Sequence, residues 1–445
     1  MDAAHLVQPV LFVIIFFTAG FLFYRKAKEV YVNINMGKPE QIHSDFSYRL
    51  KQMILIALGQ KKMFKRPIAA IMHLFIYVAF LFTQIELIEI IIDGIFGQHR
   101  AVWHFLEGTY FSALYLMLIS FVELLSVGAF IATIVFLSRR NLLKLPRFNM
   151  PELIGFPFKD ANAILIMEIA LIFFLMLANS TDLVLQYNGV EHYTATGPFL
   201  ISQYIAPLFY TLPMGTLIVL ERIGWWGHIL VVLSFLLYLP YSKHLHILLA
   251  FPNTYFSRPE PHGKMSNMPA IMNEVKSMMD PSATSENDGA EMSFGANDVN
   301  QLSWKSLLEA YTCTECGRCT ANCPANLTGK KLSPRKIMMD TRDRMEELGK
   351  LRKVHGADFK DNKKLLGDYI TKEELRACTT CNACVEECPV NISPLNIILE
   401  LRRSMIMEEA DSPAEWNNVF SNLENNQAPW QFSPEDRANW VHELN

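Results

Sequence analysis

The sequence predicts an all-α protein in two parts: a bundle of five membrane-spanning helices, then a helical domain built around cysteines. Three observations predict it. The chain has 445 residues, 51% of them hydrophobic, and nearly all its long apolar runs fall within residues 1–252. All eight cysteines lie beyond that region, in two copies of one spacing. The gap between the copies carries apolar residues at helical intervals.

Five runs approach the ~20 residues a helix needs to cross a bilayer. They are 7–24, 68–92, 111–137, 161–178 and 225–246. The first has no basic n-region and no small-residue cleavage site, so it reads as a retained helix rather than a signal peptide. Residues 199–221 are also apolar, but Pro207 and Pro213 interrupt them. They read as an interfacial or re-entrant segment.

Basic residues set the expected orientation. They crowd 25–66, from Arg25, Lys26 and Lys28 to Lys65 and Arg66, and return in 138–160 as Arg139, Arg140, Lys144, Arg147 and Lys159. The segments 93–110 and 179–224 offer only Arg100 and Arg222. The expectation is a multi-pass protein of the bacterial inner membrane, with its N-terminus outside and its cysteines in the cytoplasm. A net charge of -4 argues against a nucleic-acid partner.

The cysteine runs are Cys313-x2-Cys316-x2-Cys319-x3-Cys323-Pro324 and Cys378-x2-Cys381-x2-Cys384-x3-Cys388-Pro389. This spacing holds two 4Fe–4S clusters in bacterial-type ferredoxins, where the fourth cysteine of each run ligates the other cluster. One cluster is therefore expected on Cys313, Cys316, Cys319 and Cys388. The second is expected on Cys378, Cys381, Cys384 and Cys323. Zinc prefers paired Cys-x2-Cys units, and three cysteines within seven residues make poor disulfides.

The histidines suggest a further cofactor. His73 lies in the second span, and His228, His244 and His246 bracket the fifth. On a continuous helix His228 and His246 are five turns apart, on one face and ~27 Å from each other, whereas His244 is rotated by ~160°. Two imidazoles on one face and one on a neighbouring helix suit b-type haem. An unpaired His73 inside the bilayer would be costly. Glu86, Glu89, Glu123 and Glu168 also fall within spans, where a carboxylate costs ~2.5–3.5 kcal/mol. They are candidates for proton transfer, or for pairing within the bundle.

Residues 253–302, with Pro259-Glu260-Pro261-His262 and a Ser/Asp/Asn/Gly-rich stretch at 280–300, read as a linker. A domain at 303–410 and a docking tail at 411–445 follow. Ser333-Pro334 starts a helix with Met338, Met345 and Leu348 on one face. A second helix is expected from Pro394 to Glu409. An insert of this length between the runs favours an α-helical ferredoxin over a compact two-hairpin one.

The membrane part resembles the cytochrome b subunit of nitrate reductases, on five spans, His73, and the stretch from His228 to Pro240-Tyr-Ser-Lys-His-Leu-His246. That resemblance implies haem ligands at His73, His228 and His246. A second-span histidine of that family is replaced here by Thr83, followed by Gln84, which leaves one haem or two, with His99 or His104 as substitutes. The cysteine part is similar to heterodisulfide-reductase and glycolate-oxidase iron–sulfur subunits, on Thr328 to Pro334, Cys378-Thr-Thr-Cys381, Leu401-Arg402-Arg403 and the tail to Trp430.

The combination resembles the electron-transfer-flavoprotein:menaquinone oxidoreductases. It implies electron transfer between a cytoplasmic donor and menaquinone by an iron–sulfur quinone oxidoreductase subunit. Electron-transfer flavoprotein, acting through a separate CCG-domain subunit, is the expected donor. The alternative is a haem-free membrane anchor carrying a cluster relay for a lactate, glycolate or heterodisulfide-type enzyme.

Overall fold

The computed structural model describes residues 3–261, 264–280 and 294–444, and these form helices and loops with no extended strands. The centre of the Ser/Asp/Asn/Gly-rich stretch and His262 lie outside them. Five helices are long and apolar enough to cross a membrane: α1 (Ala3–Ile34), α2 (Pro67–Phe96), α3 (Ser112–Asn141), α4 (Phe156–Tyr187) and α5 (Met214–Tyr238). Proline stands at the first or second position of α2 and α4, where its missing N–H costs nothing.

The closest pairing is α4 against α5, and glycines permit it. A Cβ on Gly224 would lie 2.6 Å from the Ala178 backbone nitrogen, and one on Gly227 would lie 2.5 Å from the Phe174 ring. Small residues let apolar helices approach closely where no hydrophobic drive is available between them.

The fifth span differs from its expected bounds of 225–246. It begins at Met214, directly after Pro213, and α5 gives way to a 3-10 turn at Leu239–Tyr241. Pro240 donates no hydrogen bond to the helix ladder, and Ser242 then caps a second 3-10 turn, Lys243–Leu245, through His244 N. A new helix, α6 (His246–Tyr255), follows. His228 and His246 therefore do not share a helix, and the five-turn spacing between them does not apply. The re-entrant reading of 199–221 also needs revision: 202–209 form short helical turns, and 214–221 belong to α5.

The cysteine domain is built on α7 (Trp304–Thr312), α8 (Pro334–His355), α9 (Lys372–Ala377) and α10 (Pro394–Met407). α8 and α10 each open on a Ser-Pro pair whose serine accepts the backbone N–H three residues on. Met338, Met345 and Leu348 are all buried on one side of α8, as their spacing predicts. Ala296, Val299 and Leu302, read from composition as linker, are fully buried in the same core. That core also takes Val30 and Ile34 from α1 and Leu245 and Ala250 from the α6 region, so the two halves share one apolar interior.

Ion pairs fasten the seam. Arg335 is wholly buried, donates to the Arg147 carbonyl at 2.7 Å, and pairs with Glu152 at 2.7 Å. Lys305, also wholly buried, pairs with Glu309 at 3.2 Å, and Arg258 reaches the same carboxylate at 2.9 Å. The basic segments 25–66 and 138–160 thus meet the cysteine domain, through Lys65, Arg147 and their neighbours.

At the opposite end of the bundle Arg100 gathers buried acids. It lies 3.1 Å from Asp182, 3.7 Å from Glu89 and 4.0 Å from Glu86. Glu123 accepts from the backbone of Ile201 and Ser202 at 2.7 and 3.1 Å. Three of the four acids picked out in the sequence are therefore paired within the bundle.

Replacing Glu152 with alanine leaves the Arg335 guanidinium buried without its counter-charge. The expected cost is about 3–5 kcal/mol, read as a lower thermal midpoint of helical circular dichroism in detergent than for the unsubstituted chain.

Candidate functional site

Each cysteine run is a tight loop leading into a short helix, Arg318–Ala321 in the first and Ala383–Glu387 in the second. Both loops pass through left-handed backbone at the same two places. These are Glu315 and Gly317 in one, at φ 53° and 70°, and Thr380 and Asn382 in the other, at φ 57° and 62°. The turns wrap the chain around its thiols, and they strain Glu315 and Thr380, whose Cβ atoms disfavour that region. At Gly317 a Cβ would stand 2.5 Å from the Arg335 guanidinium, so a side chain there would have to displace it.

The fold sorts the thiols into two quartets. Cys313, Cys316, Cys319 and Cys388 line one recess with Met338, Pro389 and Ile392, and Cys384 lines it too. Burial pushes the Cys388 thiol up to about 12, with Cys316 and Cys313 adding to the rise. Burial likewise pushes Cys384 up to about 12, but there the neighbouring thiols are Cys378, Cys323 and Cys381. Cys388 of the second run thus stands beside the first run's thiols, and Cys323 of the first lies near those of the second. Backbone N–H groups already point at sulfur, from Thr380 to Cys378 Sγ at 3.4 Å and from Ile392 to Cys388 Sγ at 3.2 Å. Among the described residues no three His, Cys, Asp or Glu side chains converge tightly enough to hold one metal ion.

The quartets differ in what covers them. Cys381 is exposed, as are Thr379 and Thr380 beside it. The Cys313–Cys319 loop instead faces the membrane part. Arg318 donates to the carbonyls of Lys62 and Met63 at 3.1 and 3.3 Å. Glu315 pairs with Lys243 at 2.5 Å and with Arg342 at 2.8 Å. Glu315 is held below the usual carboxylate range by Arg342 and Lys243, which together outweigh its burial.

The histidines lie just beyond this loop. The His244 and His246 rings are 5.7 Å apart. Burial pulls His244 down to about 3, and His246 and His73 are close enough to lower it further. His246 Nδ1 lies 2.8 Å from the Lys243 carbonyl, His73 Nδ1 lies 3.1 Å from Gln60 Oε1, and His228 Nδ1 lies 3.1 Å from the Leu171 carbonyl. An acceptor at Nδ1 keeps the proton there and leaves Nε2 with a lone pair, the form in which imidazole binds metal. His228 stands ten residues before the end of α5, about 15 Å along the helix from it.

The substitutes for a second pair are otherwise engaged. Thr83 and Gln84 both donate to the Phe80 carbonyl, at 3.1 and 2.9 Å. His99 uses one ring nitrogen on Asp182 at 2.9 Å and the other on Thr194 N at 3.3 Å. His104 Nε2 meets Thr194 Oγ1 at 2.9 Å.

Sequence reasoning missed Gln60, Lys243, Glu315 and Arg318. Glu315 and Arg318 sit inside the first cysteine run and Lys243 directly before His244, so position alone marked them for scrutiny. Nothing in the sequence marks Gln60.

Residues 312–392 match the family of 4Fe-4S dicluster domains. The chain is 29% identical over 475 residues to the probable iron-sulfur-binding oxidoreductase FadF of Bacillus subtilis, an alignment covering 100% of this chain and 62% of that protein. It is 26% identical over 432 residues to the EtfAB:quinone oxidoreductase of Syntrophomonas wolfei, covering 91% of this chain and 55% of that one. A probable membrane-anchored ferredoxin of Chromohalobacter salexigens is 32% identical over 173 residues, 35% of this chain and 25% of its own length. The chain therefore resembles iron–sulfur oxidoreductases, and spans less than two thirds of the first two relatives' length. No solved structure matches it.

In metal-free protein at about pH 8, maleimide should label Cys381 well ahead of Cys313 and Cys388, because a buried thiol stays protonated and unreactive. Burial raises both thiols above the ordinary value, so they should remain slow to label while Cys381 reacts. Mass mapping of the labelled peptides checks the order.

Proposed function

We propose that this chain is a membrane-bound electron carrier between a cytoplasmic donor and menaquinone, using two 4Fe–4S clusters and one haem b. The observation that carries the reading is the order of its groups. An exposed thiol, Cys381, stands at one end. The two interleaved quartets follow, and then a thiol loop tied by Arg318 and Glu315 to the segments that hold His73 and His246. In this reading Cys313, Cys316, Cys319 and Cys388 hold the inner cluster, and Cys378, Cys381, Cys384 and Cys323 hold the outer one. His73 and His246 are the residues that would ligate the haem. His228 remains a candidate ligand only for a second haem, and the engaged side chains at Thr83, Gln84 and His99 weigh against one.

Bound clusters and haem supply one-electron carriage. The chain's own residues do the rest. Short loops and backbone N–H groups stabilise charged sulfur. Glu315 is kept ionised by Arg342 and Lys243, so a fixed negative charge lies beside the inner quartet. Burial holds the His246 imidazole neutral, and Gln60 and the Lys243 carbonyl fix the tautomers of His73 and His246.

The quinone end is supported by the printed name of the Syntrophomonas relative and by the five apolar helices. A bacterial inner-membrane location, N-terminus outside and cysteines inside, is supported by the basic segments that meet the cysteine domain. Electron-transfer flavoprotein and a CCG-domain iron–sulfur protein are the proposed partners. The face around Cys381 suits them, together with Trp416, Phe420 and Leu423, which are exposed along α11 (Ala414–Asn426).

Two measurements test this. A short-chain menaquinol added to the oxidised protein in detergent should bring up a reduced b-type haem band. Haem that answers only to dithionite would remove the quinone claim, and clusters without haem would leave a membrane anchor with a relay. For the quartets, Cys388→Ser and Cys316→Ser should disturb the same cluster signal in electron paramagnetic resonance, with Cys381→Ser disturbing the other. Pairing of Cys388→Ser with Cys381→Ser would refute the interleaved assignment.

A further inference from the structure

Two short segments join the histidines to the Cys313–Cys319 loop. One passes through Lys243, whose carbonyl takes His246 Nδ1 and whose ammonium pairs with Glu315. The other is 59–66. There Gln60, 6% exposed, turns its Oε1 to within 3.1 Å of His73 Nδ1. The carbonyls of Lys62 and Met63, two and three residues on, accept from Arg318, which stands between Cys316 and Cys319. Lys65 closes the segment onto Glu386, within the second cysteine run, at 2.6 Å.

The backbone at Gln60 is left-handed, at φ 50°. Glutamine is a poor choice for such a position, which glycine or asparagine fills at less strain. A glycine is at hand, but it occupies position 59 with an ordinary φ of -80°. The strained position has gone to the residue whose amide reaches His73, which is the pattern of a conformation kept for its side chain.

We propose that Gln60 is a positioning residue for His73. Its carbonyl oxygen fixes the Nδ1 proton and leaves Nε2 free to bind. Through Lys62, Met63 and Arg318 it also keeps the imidazole in register with the inner thiol loop. The inference rests on the reading of His73 as a haem ligand. A hydrogen-bond acceptor on the far nitrogen raises the basicity of a ligating imidazole, and a charged acceptor raises it more. A more basic ligand favours ferric iron, so the acceptor sets the direction of the potential.

The test is a redox titration of the haem band in the full chain in detergent, with cluster signals recorded alongside. Gln60→Leu removes the acceptor and should raise the midpoint potential. Gln60→Glu supplies a carboxylate and should lower it below that of the unsubstituted protein. A residue that only shapes the turn would move both variants the same way or neither, and either result overturns the proposal. Should the leucine variant lose its cluster signals through misfolding, Gln60→Asn takes its place. Asparagine suits the left-handed backbone but falls short of His73, so its potential should also rise. Absence of haem from the unsubstituted protein would end the haem reading and this proposal together. Haem present with unmoved potentials would end this proposal alone.

Discussion

The structure depends on seating the Cys313–Cys319 loop against the ends of membrane helices. Thiols in a recess need a closed, apolar surround, and a small helical domain has little interior of its own. The chain meets this need by running one core through both halves, with Val30 and Ile34 of α1 and Leu245 of the α6 region packed among the residues of α7, α8 and α10. The price of this arrangement is charge at the seam. Arg335, Lys305 and Glu309 are taken out of water there, and each is left with close partners of opposite sign or a carbonyl. Such pairs add less to stability than to geometry, and geometry is what the recess and the histidines behind it require.

The break after α5 serves the same end. A helix continued through Pro240 would have carried His246 onward along its own axis. The two 3-10 turns instead swing the chain sideways, so that Lys243 meets Glu315 and His246 lies beside His244. The far end of the bundle is held by charge. Arg100 and the acids around it tie α2, α4 and the intervening loop together.

Much of this was legible in the residues. Cysteine spacing is a local signal with a local cause, so a 4Fe-4S dicluster domain could be read directly. The Ser-Pro helix starts and the buried face of α8 followed from capping chemistry and helical periodicity. Long apolar runs gave the spans, because a bilayer sets their length. What could not be read had a tertiary cause. Hydropathy does not register a turn inside an apolar run, so the end of α5 and the placement of His246 were missed. Composition called 296–302 a linker because its small and polar residues outnumber Val299 and Leu302, the two that decide its burial. Gln60 is one amide among many until the fold brings His73 beside it.

The proposed exchange of cysteines between the two runs has a consequence for how the protein is made. On the proposed assignment neither quartet is complete on its own segment: the first lacks Cys388 and the second lacks Cys323. A chain still emerging from the ribosome therefore holds three thiols of the first quartet while the fourth has yet to be synthesised, and α8 must fold in between. Any agent that delivers iron and sulfur before then meets an open loop, and a truncation between the runs would spoil both sites at once.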